Sequence, residues 1–208
     1  MKIITKFLIS SVLVLFVFWS CSKAIGQETS LTILLTGSMH GQLDPCGWKK
    51  NPMGGLPRRY TKVKELRDEG VDPLLVDAGD FFFSTTKIDL ANKQSEKFRA
   101  ESILEGFKTI GYDVLNVGKY ETLVGLSFLR KMSKKVDIPF ISANIRDYKT
   151  KQLIFKPYEI VERNNLKIGI IGLTNNLPDT CKSMIADNHI ESGMKYVKEV
   201  SSKSDIII

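Results

Sequence analysis

The feature that most constrains this chain is a regular exchange of short apolar runs with helical stretches, several of the runs opening into a polar, glycine-rich loop. Leu31 to Thr36 reads as a buried strand bounded by Gly37, and Pro73 to Asp77 as a second strand running into Ala78-Gly79-Asp80. Val114 to Val117 and Pro139 to Ala143 supply a third and a fourth. Between them, Arg58 to Glu69 and Ser95 to Ile110 carry apolar residues at helical spacing and stop at Gly70 and Gly111, and Leu123 to Met132 is helical again. Strands separated by helices imply a mostly parallel sheet covered on both faces. A hairpin section follows: Leu153 to Phe155, Tyr158 to Val161, the turn Asn164-Asn165 and the strand Lys167 to Leu173. It adds antiparallel pairing and so a second sheet. Gly193 to Ser202 reads as a helix and Asp205 to Ile208 as one more buried strand. No internal repeat, low-complexity tract or interdomain linker is evident.

The N-terminus has a different grammar. Lys2 and Lys6 precede an apolar run from Phe7 to Trp19, broken by Ser10 and Ser11. A bilayer crossing takes about 20 apolar residues, so this run is short for a span. A basic start before a short apolar core reads as a secretory signal over residues 1–26, which predicts export to a bacterial periplasm or cell envelope. Two endings fit. Ser20-Cys21 matches a lipoprotein signal, with Cys21 lipidated and the protein held at a membrane; Ala24-Ile25-Gly26 fits ordinary cleavage. Residues 27–208 are then the mature chain. Its last strand has no loop or helix after it, the pattern of a truncated product or of a missing partner segment.

Of 208 residues, 43% are hydrophobic and 25% charged, which excludes a disordered chain and a coiled coil. The net charge of +7 favours anionic partners, but the lysines are scattered as on a solvated basic surface, and no basic block points to specific nucleic-acid binding. Cys46 and Cys181 remain beyond Cys21 and could pair in an oxidising compartment; no Cys/His spacing suggests a zinc site.

Ligand-binding groups in open α/β sheets gather on loops at the carboxyl ends of strands. The first strand feeds Thr36-Gly37-Ser38-Met39-His40-Gly41, the second Asp77-Ala78-Gly79-Asp80, and the third Asn116-Val117-Gly118-Lys119-Tyr120-Glu121. Their convergence would bring His40, Asp80 and Lys119 together. A divalent metal pair needs imidazole and carboxylate ligands on rigid strand ends, and His40 and Asp80 fit two such roles.

These segments resemble the 5′-nucleotidase branch of the calcineurin-like metallophosphoesterases. Leu31 to Leu43 is similar to its opening, roughly L-T-I-L-H-T-N-D-x-H-G. Gly54-Gly55 with Arg58-Arg59, and Val76 to Phe81, match its glycine pair, its arginine and its D-A-G-D-F. Gly111 to Glu121 matches G-Y-D-x-x-x-x-G-N-H-E, while Ile141 to Ile145 and Lys167 to Leu173 match later strands. Pro45-Cys46-Gly47 also resembles relatives of the bacterial thiosulfohydrolases. The resemblance covers almost all of the mature chain. It implies an α/β fold, a four-layer α/β/β/α sandwich incomplete at its C-terminus, with a manganese or zinc pair acting on a phosphate ester or nucleotide. His40 would be a ligand of the first metal and Asp80 the bridging carboxylate.

The departures concern chemistry. Ser38 stands where the family has an aspartate ligand, Lys119 replaces its asparagine ligand, and Tyr120 replaces its catalytic histidine. The resemblance implies that the family's later histidine ligands, and its nucleotide-recognising domain, would follow the strand that ends at Ile208. A serine hydroxyl is a poor neutral ligand. A lysine about 4 Å from a dication is opposed by roughly 4 kcal/mol per unit charge pair at an effective dielectric of 20. The expectation is therefore an impaired or inactive hydrolase with vestigial ligands, in which the Lys119 ammonium pairs with Asp80 in place of a metal. The alternative is a non-catalytic exported module binding an anion or a partner through the same pocket. Asp77 is expected to bond loop amides, and His189 to lie in a surface loop.

Overall fold

The computed structural model describes residues 30–48 and 51–208; the signal segment and Cys21 lie outside the described residues. Four strands form a parallel sheet in the order β1 (Ile33–Thr36), β4 (Leu74–Asp77), β5 (Val114–Asn116) and β6 (Phe140–Ile141). A second sheet has the order β11 (Ile206–Ile207), β9 (Leu166–Ile171) and β8 (Tyr158–Arg163), with β11 parallel and β8 antiparallel to β9. Two short pairs complete the list: β2 (Cys46–Trp48) with β3 (Asn51–Met53), and β7 (Ile145–Asp147) with β10 (Met184–Ala186). Residues Leu31–Ile208 form one compact unit.

Alternation along the strands sorts side chains into two cores. Leu74, Val76, Val114 and Ile141 of the first sheet meet Ile168 and Ile170 of the second in one apolar cluster. Their neighbours Leu75, Leu115 and Phe140 point the other way, into a larger cluster with the helices. That outer layer contains α1 (Leu56–Asp68), α2 (Lys93–Ile110) and α3 (Leu126–Ser133). On the far side, α4 (His189–Val200) sits so close to β9 that a Cβ on Gly169 would fall 2.2 Å from Val200 Cγ1. The layers are thus α/β/β/α, as the resemblance implied. An apolar stripe of Ala100, Ile103, Leu104, Phe107 and Ile110 seats α2, which ends on Gly111 in the left-handed region.

Several elements differ from the sequence expectation. The Leu123 to Met132 helix is replaced by a 3-10 turn at Tyr120–Thr122 and by α3, which starts only after Gly125 at φ 91°. The last helix begins four residues before Gly193, because the Asn188 side chain accepts the Ile190 and Glu191 amides. His189 is therefore the first residue of α4 rather than a loop residue. The Leu153 to Phe155 stretch contributes a single isolated bridge, between Leu153 and Arg146. Cys46 is exposed, Cys181 half-buried, and both are free thiols. The Asn164-Asn165 turn is as read, both φ values being positive as a two-residue hairpin requires.

Candidate functional site

Three loops leave the carboxyl ends of β1, β4 and β5, and the first two are fastened to each other by backbone. Ser38, His40 and Gly41 donate their amides to the carbonyls of Gly79, Asp80 and Phe81 at 2.9, 2.9 and 3.0 Å. Ser38, His40 and Asp80 hold left-handed φ values of 49°, 46° and 60°, a conformation non-glycine residues adopt at a cost of order 1–3 kcal/mol each. Such strain persists only where surrounding contacts impose it. Behind the second loop, Phe81, Phe82 and Phe83 are all fully buried against Phe107, Phe128 and Phe140.

The second and third loops are joined by Glu121. Its buried carboxylate accepts the amides of Asp80, Phe81, Phe82 and Gly118 at 2.8, 2.8, 3.1 and 2.8 Å. Burial pushes its carboxyl up to about 7, although the amides favour the charged form. Gly118 is required here, since a Cβ would lie 2.5 Å from both Asp80 N and Asp80 Oδ1. The Asp80 Oδ1 atom in turn accepts the Tyr120 amide at 2.8 Å, and the Tyr120 ring lies 4.4 Å from the His40 ring between centroids.

A second set of buried polar groups ties these loops to their surroundings. Asn116 Nδ2 donates to Ala78 O and Leu173 O, and Asn144 bonds Thr174 through both its amide ends while also donating to Asp187 O. On the helix side, Arg99 Nη1 donates to Gly41 O at 2.9 Å, and Arg99 Nε lies 3.6 Å from Glu96 Oε1. Glu96 accepts both the amide and the hydroxyl of Ser84. Asp77, fully buried, accepts the Gly79 amide as expected and also the Thr36 hydroxyl; burial raises its carboxyl above the ordinary value, with these bonds opposing.

The predicted residues therefore do converge. His40, Asp80, Lys119 and Tyr120 stand on three adjoining loops, with Ser38 at the base of the first. The expected Lys119–Asp80 pair does not form: among the described residues neither takes part in an ion pair within 4.0 Å, and Asp80 spends an oxygen on the Tyr120 amide instead. Arg59 turns inward, donating to the Tyr112 hydroxyl at 3.2 Å, whereas Arg58 is exposed. The close backbone approach at Gly55 is to Asp44 and Pro45, not to the three-loop edge. Sequence reading gave no role to Asn116, Asn144, Glu96 or Arg99, and named Glu121 only as part of a motif. A buried amide or carboxylate among apolar neighbours is the one local signal they offer.

No protein-family model matches the sequence. A 5′-nucleotidase from Vibrio parahaemolyticus is 34% identical over 157 residues, which is 73% of this chain and 26% of that protein. The crystal structure of a 5′-nucleotidase precursor from Thermus thermophilus superposes with a TM-score of 0.72 at 25% identity, covering 85% of this chain and 36% of that one. A calcineurin-like phosphoesterase, YfkN, from Bacillus subtilis superposes at 0.65 with 22% identity, over 85% of this chain and 60% of the other. The chain belongs to the 5′-nucleotidase family of the calcineurin-like phosphoesterases. It spans 26–28% of the length of the first curated relatives it matches.

Proposed function

We propose that this chain is an exported phosphoesterase domain of nucleotidase descent whose dinuclear metal centre is impaired. The family is metal-dependent, so the fit of a metal pair to these residues is the first question. His40 and Asp80 are suitable donors. Ser38 offers a neutral hydroxyl, Lys119 a cation and Tyr120 a phenol at the remaining positions of the three loops. The residues do not fit a manganese or zinc pair, and no hydrolytic step is derived through one. The observation that carries the reading is the occupation of two adjacent positions of the third loop by Lys119 and Tyr120.

A second reading has one observation in its favour. Lys119 is half-buried on the third loop without an ion-pair partner among the described residues, so its ammonium is available to an anion. On that reading the pocket retains a phosphate ester or nucleotide without turning it over.

The test is metal content and turnover of a generic phosphomonoester with added manganese. The unmodified chain is expected to bind fewer than two metal equivalents and to show no chelator-sensitive hydrolysis. The combined Ser38→Asp, Lys119→Asn and Tyr120→His variant is expected to gain manganese affinity. Two equivalents of metal together with chelator-sensitive turnover in the unmodified chain would overturn the reading. Export rests on the basic and apolar N-terminal pattern; mass spectrometry of the mature N-terminus distinguishes a lipidated Cys21 from cleavage near Gly26.

A further inference from the structure

Lysines that are scattered along the sequence are gathered by the fold on one outer face. From Leu126 to Lys135 the chain carries Arg130, Lys131, Lys134 and Lys135 and no acidic residue. This stretch, α3 and the two residues after it, lies beside α2, where Lys135 Nζ is 2.8 Å from Glu101 Oε2. The Glu101 carboxyl is held below its ordinary value by that hydrogen bond, with the charges of Lys135, Lys131 and Lys97 adding to it and burial opposing. Lys97 is fixed at the same boundary, its Nζ 5.6 Å from the centre of the Phe128 ring. On the other side of α3, Arg130 Nη2 lies 3.4 Å from Asp147 Oδ2. Two aromatic rings border this basic strip. Phe98 follows Lys97 on α2, opposite that helix's buried stripe, and is 71% exposed. Tyr148 follows Asp147, is 54% exposed, and has the Lys151 ammonium 4.3 Å from its ring centre. The face belongs to the helical layer over the first sheet, on the side away from β9, β11 and α4.

We propose that the α2–α3 face rests on an anionic lipid surface, with its lysines among headgroup phosphates and Phe98 and Tyr148 in the interfacial layer. The charge of the strip selects an anionic partner. Its aromatic borders select the kind. Phe98 has no hydrogen-bonding atom, so a soluble polyanion would pair the bases and still leave that ring in water. A lipid interface offers anionic groups and hydrocarbon within one side-chain length, and so matches both. Tyr148 suits the same layer, since it joins an apolar ring to a polar tip and lies beside a cation. Lys and Arg stems can lie along that surface while their charged ends reach the phosphates. The inference rests neither on the three-loop site nor on lipidation of Cys21.

The test mixes the full chain with vesicles of phosphatidylcholine, alone or with added phosphatidylglycerol. Its lysines are then acylated briefly and located by mass spectrometry. Lys97, Lys131 and Lys134 are expected to lose reactivity roughly fivefold, the order one near-surface lysine contributes, only where phosphatidylglycerol is present, and to regain it in high salt. Lys195 and Lys198 of α4, on the far side of the molecule, are expected to react as in buffer. Phe98→Ser keeps every charge and alters an exposed position, and is expected to weaken the protection severalfold. Lys131→Gln with Lys134→Gln, both exposed, is expected to abolish it. Absence of protection on the phosphatidylglycerol vesicles would overturn the proposal. So would equal protection of the α4 lysines, equal protection by phosphatidylcholine alone or by soluble polyphosphate, or no effect of either variant.

Discussion

The buried Glu121 carboxylate accepts the Asp80 amide at 2.8 Å, so one carboxylate of the site loop is positioned by another that never meets solvent. Burial raises the Glu121 carboxyl from 4.5 to about 7, the Asp80 amide opposing and the Asp80 charge adding to the rise. Between those two values the folded chain keeps a proton that the unfolded chain has released. Stability attributable to Glu121 is therefore full below about pH 4.5 and lost as pH rises towards 7. Asp77, raised by its own burial, acts in the same direction. Thermal melts across this range are expected to fall with pH, and Glu121→Gln to flatten the fall. The variant is also expected to lose about 1–3 kcal/mol, because its amide nitrogen must face backbone donors. A wild-type profile that does not fall with pH across the window would contradict this account.

Gly118→Ala tests the contact from the opposite loop. With its Cβ 2.5 Å from both Asp80 N and Asp80 Oδ1, the second and third loops must separate. Overpacking of this kind costs about 1–3 kcal/mol, and urea unfolding should register it. A variant within a few tenths of a kcal/mol of the parent would show that the loops are not held this tightly.

Arg99→Met removes the donor to Gly41 O and leaves the nearly buried Glu96 carboxylate with Ser84 alone. The expected loss is about 1–3 kcal/mol, with faster hydrogen exchange at the His40 and Gly41 amides than at the core of α2. Equal acceleration at both places would instead indicate global destabilisation.

Asn144→Ala leaves the buried Thr174 amide and carbonyl, and the half-buried Asp187 carbonyl, without these partners. At about 1–3 kcal/mol for each orphaned group, the loss should exceed about 2 kcal/mol in chemical denaturation. Asn165, in the exposed hairpin turn, provides the contrast: Asn165→Gly keeps the left-handed conformation and is expected to change stability by less than about 0.5 kcal/mol.

Much of the framework was legible because its signals are local. The apolar runs at Leu31, Pro73 and Val114 marked β1, β4 and β5, Gly111 marked the end of α2, and Asn164-Asn165 marked the hairpin. β2, β3, β7 and β10, three residues each, were missed, whereas β5, β6 and β11, no longer than these, were read from the longer apolar runs that contain them. The start of α4 was displaced because Gly193 reads as a breaker while packing places it inside a helix capped by Asn188.

By itself the sequence determined the order of strands and helices, the three glycine-rich loops, and the presence of Ser38, Lys119 and Tyr120 at positions where the family pattern has other residues. Only the tertiary structure decided that Glu121 gathers four loop amides, that Asn116 and Asn144 tie the loops to β9 and its exit, and that Asp80 engages Tyr120 rather than Lys119. Periodicity and side-chain polarity are written over a few residues. The partners of a buried polar group lie 30 to 57 residues away, as for Asn144 with Thr174 and Asn116 with Leu173, and packing alone brings them within hydrogen-bond distance.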